Sequence, residues 1–267
     1  MKNPIDTKFI IIVTAIPFLG LTALLGLPIA IFFFSFPVIF TLLIIVFIYN
    51  QYKALSGIPN IQSPDRKIAV VNGFLLKSTL LLVKDVKRKM LLMLATAYAD
   101  KGDYIAAFET CQKAWELMPK SFSQKTSLKG EEAMIYTEEI EILLHLGRTK
   151  AAESLLKELL VRTFSDSSGF FLSKLAQIYF SVYTGDACFT RELLGQAWSF
   201  LSDRAIQEEF PMKDFKHALY FLEAKTDMLE KKYNEAYALF TNTVHGSRCY
   251  RLTRLSREEL DYWTTRS

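Results

Sequence analysis

The stretch that decides the fold is YADKGDYIAAFETCQKAWELMP, residues 98–119. Tyr98 closes one apolar stripe, Gly102 and Asp103 supply a turn, and a second apolar stripe runs on to Pro119. Apolar residues three and four positions apart lie on one face of an α-helix. Glycine suits the tight turn between two helices because it adopts positive φ without strain. The stretch therefore predicts a helix, a tight corner and a second helix.

The pattern of this stretch resembles the tetratricopeptide-repeat family, whose repeat is about 34 residues long. The matching residues occupy the small, aromatic and corner positions of that repeat: Leu94, Ala95, Tyr98, Gly102, Tyr104, Ala107, Ala114 and Pro119. Cys111 stands where the family usually has phenylalanine. The resemblance implies an all-α fold, a right-handed superhelix of antiparallel helix pairs.

Weaker matches follow further along the chain, and the resemblance covers roughly residues 90–245. Equivalent corners fall at Gly147, Gly185 and Lys231. The spacing between corners is longer than in the family, which predicts either extended helices or inserted loops, for example at 120–130 and 163–169. Repeats bury their faces only against neighbours, so about four of them with a final capping helix are expected.

The N-terminal part has the composition of a membrane segment. From Phe9 to Tyr49 the chain has no Asp, Glu, Lys, Arg or His. As one helix this run would be about 60 Å long, twice the roughly 30 Å of a hydrocarbon core. Gly26 and Pro28 favour a corner between two helices. We therefore expect a two-span membrane hairpin, with spans near 9–25 and 29–49 embedded in the lipid bilayer.

Positive charge is concentrated just after this hairpin. Residues 50–89 carry eight basic and two acidic residues, a net +6, and residues 1–49 carry +1, so the total of +4 leaves −3 for residues 90–267. Basic flanks mark the cytoplasmic side, which predicts an integral protein of the cell membrane with a cytoplasmic repeat domain. A lipid-facing patch is one interpretation of Lys84, Lys87, Arg88 and Lys89. A positive flank without further function is the other.

Two further segments complete the organisation. Residues 68–83 fit either a hairpin turning at Asn72-Gly73 or a helix, and we expect the helix because an isolated hairpin is marginal. Arg248, Arg251, Arg254 and Arg257 form a stripe near the C-terminus, either an anion-binding patch or a solvated cap paired with nearby acids. The expected divisions are a membrane anchor, a basic connector, the repeats, and a capping helix with its tail: residues 1–50, 51–89, 90–247 and 248–267.

The sequence contains no catalytic or cofactor-binding motif, so we expect no enzyme activity and no cofactor. The three cysteines are far apart and indicate no metal site, and Cys111 and Cys188 are interpreted as small packing residues. The three histidines are interpreted as helix-face or loop residues. Glu138 and Glu141 are expected on a solvated helix face. The net negative charge of the repeat region argues against a nucleic-acid partner.

The resemblance implies a function, because repeats of this family bind peptides or protein segments in a groove lined by the first helix of each pair. Carried over position by position, the groove residues are Lys89, Leu92, Thr96, Met134, Thr137, Glu141, Tyr179, Phe221 and Lys225. We expect a membrane-anchored adaptor that recruits or scaffolds a protein. The alternatives are a peptide-binding sensor and a non-catalytic subunit of a membrane enzyme complex.

Overall fold

A computed structural model describes residues 61–77, 84–118, 127–202 and 212–265, with scattered positions between 38 and 58. The described chain is almost entirely helical, which confirms the all-α class. The helices are α1 (Pro64–Lys77), α2 (Lys84–Lys101), α3 (Tyr104–Trp115), α4 (Gly130–His145), α5 (Thr149–Leu160), α6 (Ser167–Thr184), α7 (Ala187–Ser202), α8 (Met212–Leu229), α9 (Tyr233–Gly246) and α10 (Tyr250–Thr264).

The four predicted corners share one backbone geometry. At the first, the N–H of Gly102 donates to the carbonyl of Ala99 and that of Asp103 to the carbonyl of Tyr98, at 3.0 and 2.9 Å. This is the Schellman arrangement, which needs a left-handed residue at the corner. The other corners repeat both hydrogen bonds with positive φ at Gly147, Gly185 and Lys231. The local signal therefore located the helix ends, even where lysine replaces glycine.

Two of the predicted loop insertions meet in space. Ser127–Leu128 and Thr163–Phe164 form a two-residue parallel strand pair. Asp166, just beyond the second strand, accepts hydrogen bonds from the backbone N–H groups of Gly169 at 2.7 Å and Gly130 at 3.0 Å. One carboxylate thus caps α6 and contacts the start of α4, because orphan N–H groups at helix starts need acceptors.

Helix α1 packs against α2, so the connector is helical as expected over residues 68–77. Residues 78–83 lie outside the described residues. On its other side α2 packs against α3, and Cys111 of α3 is fully buried with Ala95 and Ile135. A small side chain fits here because α4 contributes Ile135 to the same space. Cys188, in contrast, is exposed, so its expected packing role was wrong.

The C-terminal helix returns to the beginning of the repeat region. Helix α10 packs against its neighbour α9 and also contacts α8 and α2. The main hydrophobic core runs from α4 to α10 and includes Leu252 of α10. The capping helix therefore contacts the first described helix pair as well as the last, which a simple end cap would not do.

The backbone divides into two compact units, residues 1–56 and 57–267. Within the described residues, none of the helices combines the length and the apolar character that crossing a bilayer requires. The expected span 9–25 lies outside the described residues, and only scattered positions of the span 29–49 fall within them.

Candidate functional site

The first helices of the pairs and the C-terminal helix enclose one cavity of about 480 Å³, called here the Arg251 cavity. Its polar lining comes from α1, α2, α4 and α10, and its apolar lining mainly from α4, α6 and α8. The residues that define it are Lys67, Thr96, Asp100, Met134, Thr137, Glu138, Glu141, Leu172, Leu175, Tyr179, Phe215, Ala218, Arg248, Cys249, Tyr250, Arg251 and Leu252, with Ile61 and Gln62 at the edge.

Helical periodicity explains why α4 contributes four neighbouring side chains to the wall. Met134, Thr137, Glu138 and Glu141 follow one another at spacings of three, one and three residues, so all four lie on one face of the helix. Thr137 is buried and its hydroxyl donates to the carbonyl of Leu172 at 3.1 Å, which ties α4 to α6. The remaining side chains of this face point to the cavity.

Arg251 reaches from α10 into the centre of this wall. Its Nη1 donates to Glu141 at 2.8 Å, its Nη2 to Glu138 at 2.5 Å, and its Nε to Asp100 at 3.3 Å. Nη2 also lies 3.4 Å from the carbonyl oxygen of Thr96. Arginine suits this position because its planar fork presents several donors at once. One side chain therefore links α10 to both α2 and α4.

Burial controls the protonation of this cluster. The Arg251 side chain is only 5% exposed and that of Glu141 6%. Burial raises the pKa of Glu141 to about 7, although the attraction of Arg251 acts in the opposite direction. Burial also raises the pKa of Asp100, against the same attraction. The free-energy cost of removing these carboxylates from water therefore exceeds the electrostatic stabilisation that one guanidinium provides.

One polar atom of the cluster has no partner. Glu141 Oε1 is buried and accepts no hydrogen bond. The ring nitrogen His145 Nε2 lies 3.9 Å from it. Burial, with smaller contributions from nearby cations, lowers the pKa of His145 to about 3, so its ring is neutral. His145 instead stacks on Tyr104 and lies 2.8 Å from the Tyr183 hydroxyl. Among the described residues, the second oxygen of Glu141 thus has no hydrogen-bond donor.

The structure gathers five of the nine predicted groove residues around this cavity: Thr96, Met134, Thr137, Glu141 and Tyr179. The other four lie elsewhere. Lys89 pairs with Asp85 of its own helix, and Leu92 packs beside the buried Cys111 cluster. Phe221 is buried in the core, and Lys225 pairs with Glu259 of α10 at 2.6 Å.

The four residues of the predicted basic patch also differ in their exposure and partners. Lys84 is exposed and Lys87 half-buried. Arg88 donates hydrogen bonds to Asp85 and to the Met118 sulfur, and its side chain is 13% exposed. Together with the Lys89–Asp85 pair, this leaves Lys84 as the most accessible cation of the four.

The C-terminal arginine stripe separates into inward and outward members. Arg251 is buried, whereas Arg254 is half-buried and donates to the Asp100 carbonyl at 3.0 Å and to Glu258 at 2.6 Å. Arg248 and Arg257 are exposed. Arg248 precedes α10, and successive arginines on α10 are rotated by about 60° around the helix. A three-residue spacing therefore cannot keep Arg251, Arg254 and Arg257 on one surface.

One sequence-based interpretation of cavity residues was wrong. Glu138 and Glu141 were expected on a solvated face, yet their side chains are 12% and 6% exposed. His145 was expected on a helix face or loop, and it lies in the last turn of α4 with its side chain 13% exposed. The sequence reasoning also missed Asp100 and Arg251. The available signal was weak: Asp100 continues the apolar helix face, and Leu252 beside Arg251 interrupts the basic stripe.

The lining of the cavity combines charged and hydrogen-bonding groups with apolar side chains. Across the described parts of the chain, no group of His, Cys, Asp and Glu side chains has the arrangement of a metal site, and the three cysteines are free. Comparisons with protein-family models, with curated proteins and with solved structures gave no match. The resemblance to tetratricopeptide repeats therefore stays a prediction from the sequence.

Proposed function

We propose that this chain is a membrane-anchored, tetratricopeptide-like adaptor that recruits a protein partner into the Arg251 cavity at the cytoplasmic face. The observation that carries the proposal is the convergence of predicted groove residues from three first helices on one cavity. Thr96, Met134, Thr137, Glu141 and Tyr179 all line it. A cavity with an apolar wall and a few convergent polar groups is the usual form of a binding site.

The membrane part of the proposal is supported by the uncharged run from Phe9 to Tyr49 and by the basic residues after it. Cys188 provides a test because it is exposed, whereas Cys111 is buried. A membrane-impermeant maleimide should label Cys188 only after permeabilisation of the cells. Labelling of Cys188 in intact cells would overturn the cytoplasmic assignment.

The partner can be trapped by a photo-cross-linking amino acid at Met134. This residue lines the cavity and is 49% exposed, so a probe there is both close to the site and accessible. We expect the full-length chain in its native membrane to form one discrete cross-linked product. The matched control is Val161, which is 79% exposed at the end of α5 and is not part of the cavity lining.

The outcome separates adaptor from other functions. A protein product from Met134 that is missing from Val161 supports the adaptor. Equal products from both positions, or none from either, would contradict it. A small peptide instead of a folded protein in the product would favour the sensor. A peptide that competes with Arg251 for its carboxylates would weaken the contacts of α10 with α2 and α4, which gives the sensor a mechanism.

A further inference from the structure

The charges around the Arg251 cavity do not balance at close range. Asp100, Glu138 and Glu141 supply three carboxylates. Within the described parts of the chain, the cations within 4 Å of them are Arg251 and, at 3.9 Å from Asp100, Lys67. The cluster therefore holds one carboxylate more than it holds close cations. Buried carboxylates without a counter-ion are costly, so the arrangement favours the arrival of another positive charge.

The unpartnered oxygen shows where that charge would bind. Glu141 is 5% exposed, it lines the cavity, and its Oε1 accepts no hydrogen bond from any residue that the structure describes. Arg251 already uses the other oxygen, Oε2. A buried acceptor without a donor costs about 1–3 kcal/mol. A ligand that donates to Oε1 recovers this cost and adds the attraction of opposite charges.

The rest of the cavity favours a cation that is attached to an apolar group. Opposite the carboxylates the wall is formed by Leu172, Leu175, Tyr179 and Phe215. The stem of a lysine or arginine side chain packs on such a surface while its head reaches a polar group. The volume of about 480 Å³ has room for one such side chain and its apolar neighbours.

We propose that the protein partner inserts a lysine or arginine side chain into the Arg251 cavity, where its cationic group binds Glu141 Oε1 beside Arg251. This assignment rests on the adaptor function proposed above and names the chemistry of its partner. Arg251 shows that the same carboxylate wall already holds a guanidinium. The partner therefore carries its cation on an apolar segment.

The probe is a capped peptide with one arginine between leucines, compared with the same peptide in which uncharged citrulline replaces arginine. Full-length chain in detergent micelles should bind the arginine peptide at least about tenfold more tightly, since a charge-assisted hydrogen bond contributes 1.5 kcal/mol or more. Glu141→Gln should abolish the preference. The control Glu230→Gln removes a paired carboxylate outside the cavity and should retain it.

Binding by the wild-type chain should also depend on pH. This test does not require a variant to fold. Because the pKa of Glu141 is about 7, the carboxylate is more fully ionised at pH 8 than at pH 6. Affinity for the arginine peptide should therefore rise over this interval, while that for the citrulline peptide stays constant. The charged or titratable groups that face Glu141 or its histidine neighbour are Lys67, Asp100, Glu138, Tyr104, His145, Tyr179, Tyr183, Lys225, Arg248, Cys249, Arg251 and Arg254.

Failure of this inference differs from failure of the adaptor function. Equal binding of both peptides, or a preference that survives Glu141→Gln, overturns the cationic contact, even if the cross-link at Met134 finds a partner. Loss of that cross-link from the Glu141→Gln chain supports the contact. If spermidine binds the cavity and no protein is trapped, the partner assignment is overturned in favour of a free polyamine.

Discussion

Two arginines of this protein each contact three carboxylates, and the two clusters behave in opposite ways. Arg251 meets Asp100, Glu138 and Glu141 in the cavity. Arg191 of α7 instead meets Glu223 and Asp227 of α8 and Glu230 just after it. The Arg191 side chain is 30% exposed and that of Arg251 5%. The clusters thus differ in burial more than in composition.

This difference reverses the protonation of the acids. The hydrogen bond from Arg191 lowers the pKa of Glu230 to about 2. Burial raises the pKa of Glu141 to about 7, although Arg251 donates to it at 2.8 Å. An ion pair by itself therefore does not determine the charge state of a carboxylate. Access to water decides which of the opposing effects is larger.

The clusters also connect different parts of the chain. Arg191 links α7 to the next helix along the chain, whereas Arg251 links α10 to α2 and α4. A link between distant segments restrains the whole helical array, because either end must detach before the array opens. The buried cluster therefore serves both as a structural closure and as one wall of the proposed binding site.

The largest expected contrast is between the variants Arg251→Leu and Arg191→Leu. Removing Arg251 leaves buried carboxylates without their cation and should lower the free energy of unfolding by about 3–5 kcal/mol. Removing Arg191 should cost about 1–2 kcal/mol, since water screens most of that cluster and Asp227 is its buried member. Urea unfolding of the full-length chain in micelles, followed by helical circular dichroism, measures both.

The two substitutions are chemically matched, so a difference in stability reports on the environments of the two clusters. Both substitutions replace arginine by the same apolar residue and remove contacts to three acids. Equal losses of stability would show that burial does not distinguish the clusters. If Arg251→Leu does not accumulate as folded protein, Arg251→Lys and Arg191→Lys provide the comparison: both retain the charge, and Arg251→Lys should still lose more stability than Arg191→Lys.

A smaller contrast should appear in the dependence of stability on pH. Glu141 binds its proton more tightly in the folded chain than its usual pKa of about 4.5 allows, so its stabilising contribution is complete below pH 4.5 and is lost as pH rises through about 7. Relative to Glu141→Gln, the wild type should lose on the order of 2 kcal/mol between pH 5 and pH 8.

Glu230 gives the opposite expectation and serves as the control. Its pKa is lowered in the folded chain, so its contribution is complete above about pH 4.5 and is lost only as pH falls toward 2. The difference between wild type and Glu230→Gln should therefore stay constant from pH 5 to pH 8. Parallel pH profiles for the two variants would contradict the opposite shifts.

The smallest contrast should come from salt. Raising KCl from about 0.05 to 0.5 M shortens the distance over which exposed charges interact to about 4 Å. The stability loss caused by Arg191→Leu should then shrink by a few tenths of a kcal/mol, whereas the loss caused by Arg251→Leu should be nearly unchanged. Equal salt sensitivity would indicate that water reaches the Arg251 cluster.

Part of this architecture could be predicted because its causes are local. Helix ends depend on a few neighbouring hydrogen bonds, so Gly102, Gly147 and Gly185 located three corners from sequence alone. Even Lys231, with φ of 62°, was found by spacing. Five of the nine groove positions reached the cavity because helical periodicity sets which residues share a face.

The rest could not be predicted because its causes are distant in sequence. Asp100 and Arg251 are 151 residues apart, and nothing local to either indicates the other. The spiral of arginines around α10 left open which member turns inward until the contact with α2 was known. The same holds for Lys225, which fitted a groove position but pairs with Glu259 of α10.

The sequence alone predicted the helix, corner and helix that the structure describes over residues 98–118, and the similar units that follow, because these features arise from hydrogen bonds and apolar spacing within a few turns. It did not predict that α10 returns to α2 and buries Arg251 among three carboxylates. Burial is a property of the assembled helices and therefore has no local sequence signal. The charge state of Glu141, and with it the character of the proposed site, depends on burial.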